Sequence, residues 1–329
     1  MNVILHQTVT TLALISLSLS PAAFADEVAK PVTEKLVDTL EQLSGGPHKG
    51  FRSNHAKGLV VEGHFTPAPT AAEVTKASIF NTSNPVAVRY SHAGGLPTVA
   101  DNDAGGFPKG MAIRFLLPDQ SRADLVLISV NGFPSATPEE FLGLLQAVAA
   151  SKDEPKAIET YLAEHPAALR FVTTPKPLPE SFATQPFFGV NAFKFTNAKG
   201  DVQYGRYRIE PIDGARFLNT DASKAAEKEY LTQELPARLK KGPYAYRISV
   251  QLAQSGDEVN DPTVLWPADR RVVELGTLTI DKVSADAQKY EKTMFSPLNL
   301  VEGIEPSEDK ILLARPTAYA VSFGRRLQP

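Results

Sequence analysis

The sequence predicts an α+β fold, with an antiparallel β-barrel core and surrounding helices. Short apolar segments with strand-like composition recur between clusters of Gly, Pro, Asn and Asp. Helical periodicity is confined to stretches before, between and after those segments. No internal repeat or low-complexity tract interrupts the pattern.

Residues 1–25 contain no Lys, Arg, Asp or Glu, and an apolar run around 12–19 is followed by Pro21 and Ala23-x-Ala25. That run is too short to span a bilayer, and the small residues fit a signal-peptidase site. The reading is a signal peptide over 1–25, a domain over 26–329, and export to the periplasm. The absence of a basic side chain at the start leaves a buried helix or a retained anchor as alternatives. No stable membrane association is expected elsewhere.

Residues 26–45 read as an amphipathic helix with Val32, Leu36, Leu40 and Leu43 on one face, stopped by Gly45-Gly46-Pro47. Strands follow at 60–64, 86–90, 111–115 and 124–130. The stretch 138–172 is largely helical, with Phe141, Leu142, Leu144, Leu145 and Val148 as one stripe and Ile158, Tyr161 and Leu162 as another. Strands resume at 192–195, 202–209, 244–252 and 272–280. A polar helix over 221–235 interrupts them, and Pro236 is expected to end it. The last segment, 308–326, starts in coil and ends as a helix.

The 329 residues allow one large domain with a sizeable core, and a net charge of -3 offers no basic face for nucleic acid. Partners are therefore expected to be small molecules. The chain has no cysteine, which excludes thiolate metal ligation, iron–sulfur clusters, thiol chemistry and disulfides.

Near the carboxyl end the chain reads Arg315-Pro-Thr-Ala-Tyr319, continuing to Ser322 and Arg326. With Pro316 placed in a first helical turn, these four lie on one face at i, i+4, i+7 and i+11. A free tyrosine ionises only near pH ~10, so a tyrosine that ligates a metal at neutral pH needs a neighbouring cation. Arginine suits that task because it stays charged when buried. Earlier in the chain, Arg52-Ser-Asn-His55-Ala-Lys-Gly58 places a histidine before a strand. Such a residue, at an unperturbed pKa near ~6.5, can shuttle a proton. Taken alone, each motif is more often ordinary packing or surface.

Together they resemble the haem catalases. Phe295-Ser-Pro297, Gly303-Ile304-Glu305-Pro306 and Arg315 to Tyr319 resemble that family's proximal segment, and Arg52 to Gly58 resembles its distal motif. Val88-Arg89-Tyr90-Ser91 resembles its propionate-binding strand, and Asp124-Leu125-Val126 continues the order. The likeness runs from about residue 46 to the C terminus, loosely in the middle.

The resemblance implies a catalase-type barrel and haem b, with Tyr319 as iron ligand and Arg315 beside it. It further implies His55 as proton shuttle oriented by Ser91, and Arg52, Arg89 and Arg326 on the propionates. The distal polar group should follow Asp124-Leu125-Val126, as either Ser129 or Asn131, with Asn131 favoured on the face of a continuing strand. Phe141 stands either beside the haem or in a helix core. The remaining histidines read as structural.

The chain stops shortly after Arg326, where catalases continue into a helical domain. This resembles small export-tagged peroxidases of the superfamily, expected to reduce organic peroxides or hydrogen peroxide with a small-molecule reductant. Alternatives are true catalase activity, rearrangement of fatty-acid hydroperoxides, and non-enzymatic haem binding. The oligomeric state is left open.

Overall fold

The computed structural model describes residues 30–119 and 121–328; the expected signal peptide lies outside them. The strands are β1 (Gly58–Pro67), β2 (Asn84–Ser91), β3 (Gly110–Leu116), β4 (Arg122–Ile128), β5 (Phe187–Phe188), β6 (Phe193–Thr196), β7 (Val202–Pro211), β8 (Tyr244–Leu252), β9 (Val272–Val283) and β10 (Ile304–Pro306). The helices are α1 (Val32–Leu43), α2 (Ala71–Val74), α3 (Pro138–Ala150), α4 (Ala157–Glu164), α5 (Pro166–Thr173), α6 (Thr220–Ala225), α7 (Tyr230–Leu239), α8 (Ala287–Glu291) and α9 (Lys310–Arg326).

All strand pairings named here are antiparallel, in the order β10-β6-β7-β5-β4-β3-β2-β1-β9-β8. A further β7–β8 pairing closes an eight-stranded barrel, with β6 and β10 as a spur from β7. Closure removes most of the open edges a sheet would otherwise expose. The α+β barrel predicted from the sequence is the observed architecture.

Alternation on β2 sorts its side chains. Val86, Val88 and Tyr90 enter the barrel core, and Arg89 and Ser91 point the other way, toward the cavity. The interior is aromatic: Phe65, Phe80 and Phe115 pack edge to face with centroids 5.5–5.7 Å apart. Tyr90 stacks on Phe182 at 4.9 Å.

Several expectations need correction. The stretch 138–172 is largely helical as expected, divided among α3, α4 and α5, but of its two stripes Val148 is exposed and α4 buries none of its residues. The polar helix is split into α6 and α7, and Pro236 lies inside α7. There the fully buried Leu231 and Leu235 hold the helix to the barrel, against the roughly 3 kcal/mol that an interior proline costs. Pro316 is likewise interior to α9, which begins at Lys310. Asp309 caps that helix by accepting from the backbone of Ile311 and Leu312 at 2.8 and 3.1 Å.

Candidate active site

One cavity of about 240 Å³ lies outside the barrel, among the outer faces of β2, β3 and β4 and helices α1, α3 and α9. A water needs only ~15 Å³ on this measure, so the space suits a large ligand. Its walls are mainly apolar: Leu36 and Leu40 from α1, Ile128, Phe133 and Phe141 on one side, Met294 on another. Phe133 and Phe141 pack with ring centroids 5.0 Å apart, so Phe141 is both helix packing and cavity wall.

Helix α9 presents Arg315, Tyr319, Ser322 and Arg326 to this cavity, the face expected from their spacing. Arg315 donates from Nε and Nη2 to the Tyr319 oxygen at 3.0 and 2.9 Å. Its third nitrogen, Nη1, donates to Asn191 Oδ1 at 2.7 Å. The Asn191 amide in turn donates to Asp309 Oδ2 at 2.7 Å, on the carboxylate that caps α9. The guanidinium is therefore held by the same helix at both ends of the chain of contacts.

His55 faces the cavity from the turn that precedes β1, with Nδ1 3.0 Å from Ser91 Oγ. Burial, then the charges of Arg89 and Arg315, push the imidazole down to about 3, so it is neutral at any physiological pH. Its backbone has φ 59°, the only left-handed non-glycine residue among those described. That conformation costs on the order of 1 kcal/mol and persists where surrounding contacts enforce it.

Arg52, Arg89 and Arg326 gather at one end of the cavity. Glu291, at the end of α8, accepts from Arg52 and, at 2.6 Å, from Arg89 Nε. Arg89 also donates to the carbonyls of His55 and Ala56 at 3.0 and 3.1 Å. Arg326 donates to Thr293 O at 2.7 Å, while its Nε is buried without a hydrogen-bond partner. Burial and the neighbouring Arg89 push Arg52 down to about 9, despite Glu291.

This end holds three guanidiniums against one carboxylate, with an unpaired buried donor. The same cavity presents the Tyr319 phenol oxygen, and the rest of its lining is mainly apolar. The donor set fits a flat apolar group carrying two carboxylates and a metal, which is what the haem expectation requires.

Asn131 is not part of this arrangement. Strand β4 ends at Ile128, and Ser129 is tied to Lys109, accepting from its N–H at 3.0 Å and donating its own N–H to its carbonyl at 2.9 Å. The chain then bends away, leaving Asn131 exposed, and neither Ser129 nor Asn131 lines the cavity. Ile128 stands on that wall instead. The sequence reading also missed Glu291, Asn191 and Asn54. Asn54 sits inside the distal motif, but the other two are brought in from far along the chain.

The barrel side is tied to the segment leading to α9. Arg114 and Asp124, opposite each other on β3 and β4, form a bidentate buried pair with both bonds at 2.7 Å. Arg114 also donates to Met294 O at 2.6 Å, and Asp124 accepts from Ser296 N and Asn299 Nδ2 at 2.9 and 2.7 Å.

Comparison with known proteins gives a consistent result. Residues 50–329 match the family model described as Catalase. A catalase-related peroxidase of Mycolicibacterium paratuberculosis is 32% identical over 288 residues, covering 86% of this chain and 91% of that one. One from Synechococcus elongatus is 31% identical, covering 94% and 93%. A catalase of Pseudomonas syringae pv. syringae is 29% identical, and the match covers 62% of its length. Among solved structures, a fungal catalase superposes with TM-score 0.76 at 21% identity, covering 89% of this chain and 63% of that one. Catalase A from Saccharomyces cerevisiae gives 0.74 at 20%.

Proposed function

Since the chain belongs to the catalase family, we propose that its cavity holds haem b, ligated by Tyr319, and that His55 serves peroxide reduction above it. The coarse function is that of its relatives: a haem peroxidase of this superfamily. The observation that carries the finer reading is the shared cavity, which brings the Arg315–Tyr319 pair and the neutral His55 together from opposite ends of the chain.

Arg315 supplies the positive charge and two donated hydrogen bonds that suit an anionic tyrosine oxygen on a ferric ion. Arg52, Arg89 and Arg326 take the propionates, and the free Nε of Arg326 gains a partner. The haem, when bound, supplies the electrons that break the peroxide O–O bond.

His55 moves the proton. With Nδ1–H donated to Ser91 Oγ, the Nε2 lone pair is left to take the proton from the near peroxide oxygen. The same nitrogen returns it to the departing oxygen as the bond breaks, so the leaving group departs as water or an alcohol. The phenyl and aliphatic walls at Phe133, Phe141 and Ile128 exclude water and favour a peroxide with an organic substituent. A small external reductant completes the cycle. The charge-free residues 1–25 and Ala23-x-Ala25 support export to the periplasm.

The test is His55→Ala in the haem-loaded protein. The expected result is an unchanged Soret band with peroxide reduction lost by at least roughly 10²-fold. Full turnover with haem retained would leave a haem-binding protein in which His55 has no part.

A further inference from the structure

We infer that Asn54 and Gly110 are positioning residues of the proton shuttle: Asn54 imposes the left-handed backbone at His55, and the bare Cα of Gly110 sets where its ring rests. This deepens the reading of His55 as the base and rests on it.

His55 holds φ 59° although it is neither Gly nor Asn. Asn54 Oδ1 accepts from the N–H of His55 at 3.0 Å and from the N–H of Gly94 at 2.7 Å. One amide oxygen thus bridges the turn to the segment after β2. On the other side, Arg89 takes the His55 carbonyl at 3.0 Å. Both backbone polar groups of His55 are therefore fixed, which is what a disfavoured conformation needs in order to persist.

Gly110 pairs with Ser91 in the β2–β3 register, beside the His55 ring. A Cβ at Gly110 would stand 2.5 Å from Ser91 Oγ, 2.8 Å from His55 Nδ1 and 2.9 Å from His55 Cε1. Real Cβ contacts essentially never come that near. Any side chain at position 110 must push apart the two atoms whose 3.0 Å contact orients the imidazole. The glycine is thus a steric gauge: strand β3 approaches so closely that a single added carbon would meet the ring, and the imidazole lies in the space the glycine leaves.

The experiment uses the full-length protein loaded with haemin. Variants Gly110→Ala, Asn54→Leu and Asn54→Asp are made in the parent and in a His55→Ala background. Each is read by Soret spectrum, haemin titration and the single-turnover rate with an alkyl hydroperoxide. Gly110→Ala and Asn54→Leu should keep haem and react roughly 10²-fold more slowly, the usual cost of misplacing a catalytic group by about an ångström. Asn54→Asp retains an acceptor oxygen and should stay near the parent rate. Without His55, all three should change nothing further.

Parent-like rates for Gly110→Ala and Asn54→Leu overturn the inference, as does an equal loss in the background lacking His55. If Gly110→Ala fails to fold, the Asn54 pair decides by itself. A His55→Ala protein as fast as the parent is a different failure: it removes the base itself, and this inference with it.

Discussion

Two nitrogens of Arg315 converge on the Tyr319 oxygen, at 3.0 and 2.9 Å, one helical turn apart on α9. The fork geometry matters as much as the charge, because a lysine at the same place offers a flexible point donor. Arg315→Lys should therefore weaken ferric haem binding roughly 10- to 100-fold, as losses behind a metal ligand usually do. Haemin titration of the apoprotein reads this. Tyr319→Phe should bind porphyrin with an altered ferric spectrum, and an unchanged spectrum would remove Tyr319 as ligand.

The depressed pKa of His55 predicts an unusually flat pH profile. With the imidazole pushed down to about 3, the base is unprotonated from pH ~4 upward, so the peroxide step should not slow near the usual histidine value of ~6.5. Stability carries the matching sign. Between about 3 and ~6.5 the unfolded chain binds a proton that the folded one refuses, so stability falls as pH falls through that window. His55→Gln should lose part of this acid sensitivity in urea melts. A stopped-flow rate that drops by half near pH 6.5 contradicts the assignment.

Arg114 and Asp124 are 3% and 1% exposed, so neither has water to fall back on. Asp124→Asn should destabilise the protein by about 3–5 kcal/mol, because it leaves Arg114 buried with its charge uncompensated. The same change weakens the hold on Ser296 and Asn299, which both donate to Asp124 Oδ2 in the segment that leads toward α9. Chemical denaturation of the apoprotein measures the loss; a shift under 1 kcal/mol, of the order of an exposed pair, argues that the pair is dispensable.

Glu291 is the carboxylate that the cavity-lining Arg52 and Arg89 share. Replacing it with Gln removes that negative charge from among three guanidiniums. The apoprotein should melt at lower temperature, and haemin should raise the melting point of the variant more than that of the parent, since propionates restore the missing charge. Equal shifts in both proteins would separate Glu291 from the propionate end.

Local chemistry was readable from the chain. The i, i+4, i+7 and i+11 spacing of Arg315, Tyr319, Ser322 and Arg326 survives because a helix repeats its geometry whatever surrounds it. The outward pair Arg89 and Ser91 follows from strand alternation in the same way. What failed were statements about where elements end. Pro236 and Pro316 sit inside helices, because packing of neighbours such as Leu231 and Leu235 outweighs a local preference. Asn131 left the expected face because β4 stops where Lys109 takes both polar groups of Ser129.

The sequence by itself determined which side chains of α9 and β2 share a face, Arg315, Tyr319 and Arg326 on one and Arg89 and Ser91 on the other, since a single helix or strand converts spacing into direction. Only the tertiary structure decided which polar groups surround them. Asn191 reaches Arg315 across 124 positions and Glu291 reaches Arg89 across 202. Barrel closure between β7 and β8 likewise appears in no local pattern. Contacts at such separations depend on the whole fold having formed, because burial and chain closure are properties of the assembled core and of no shorter segment.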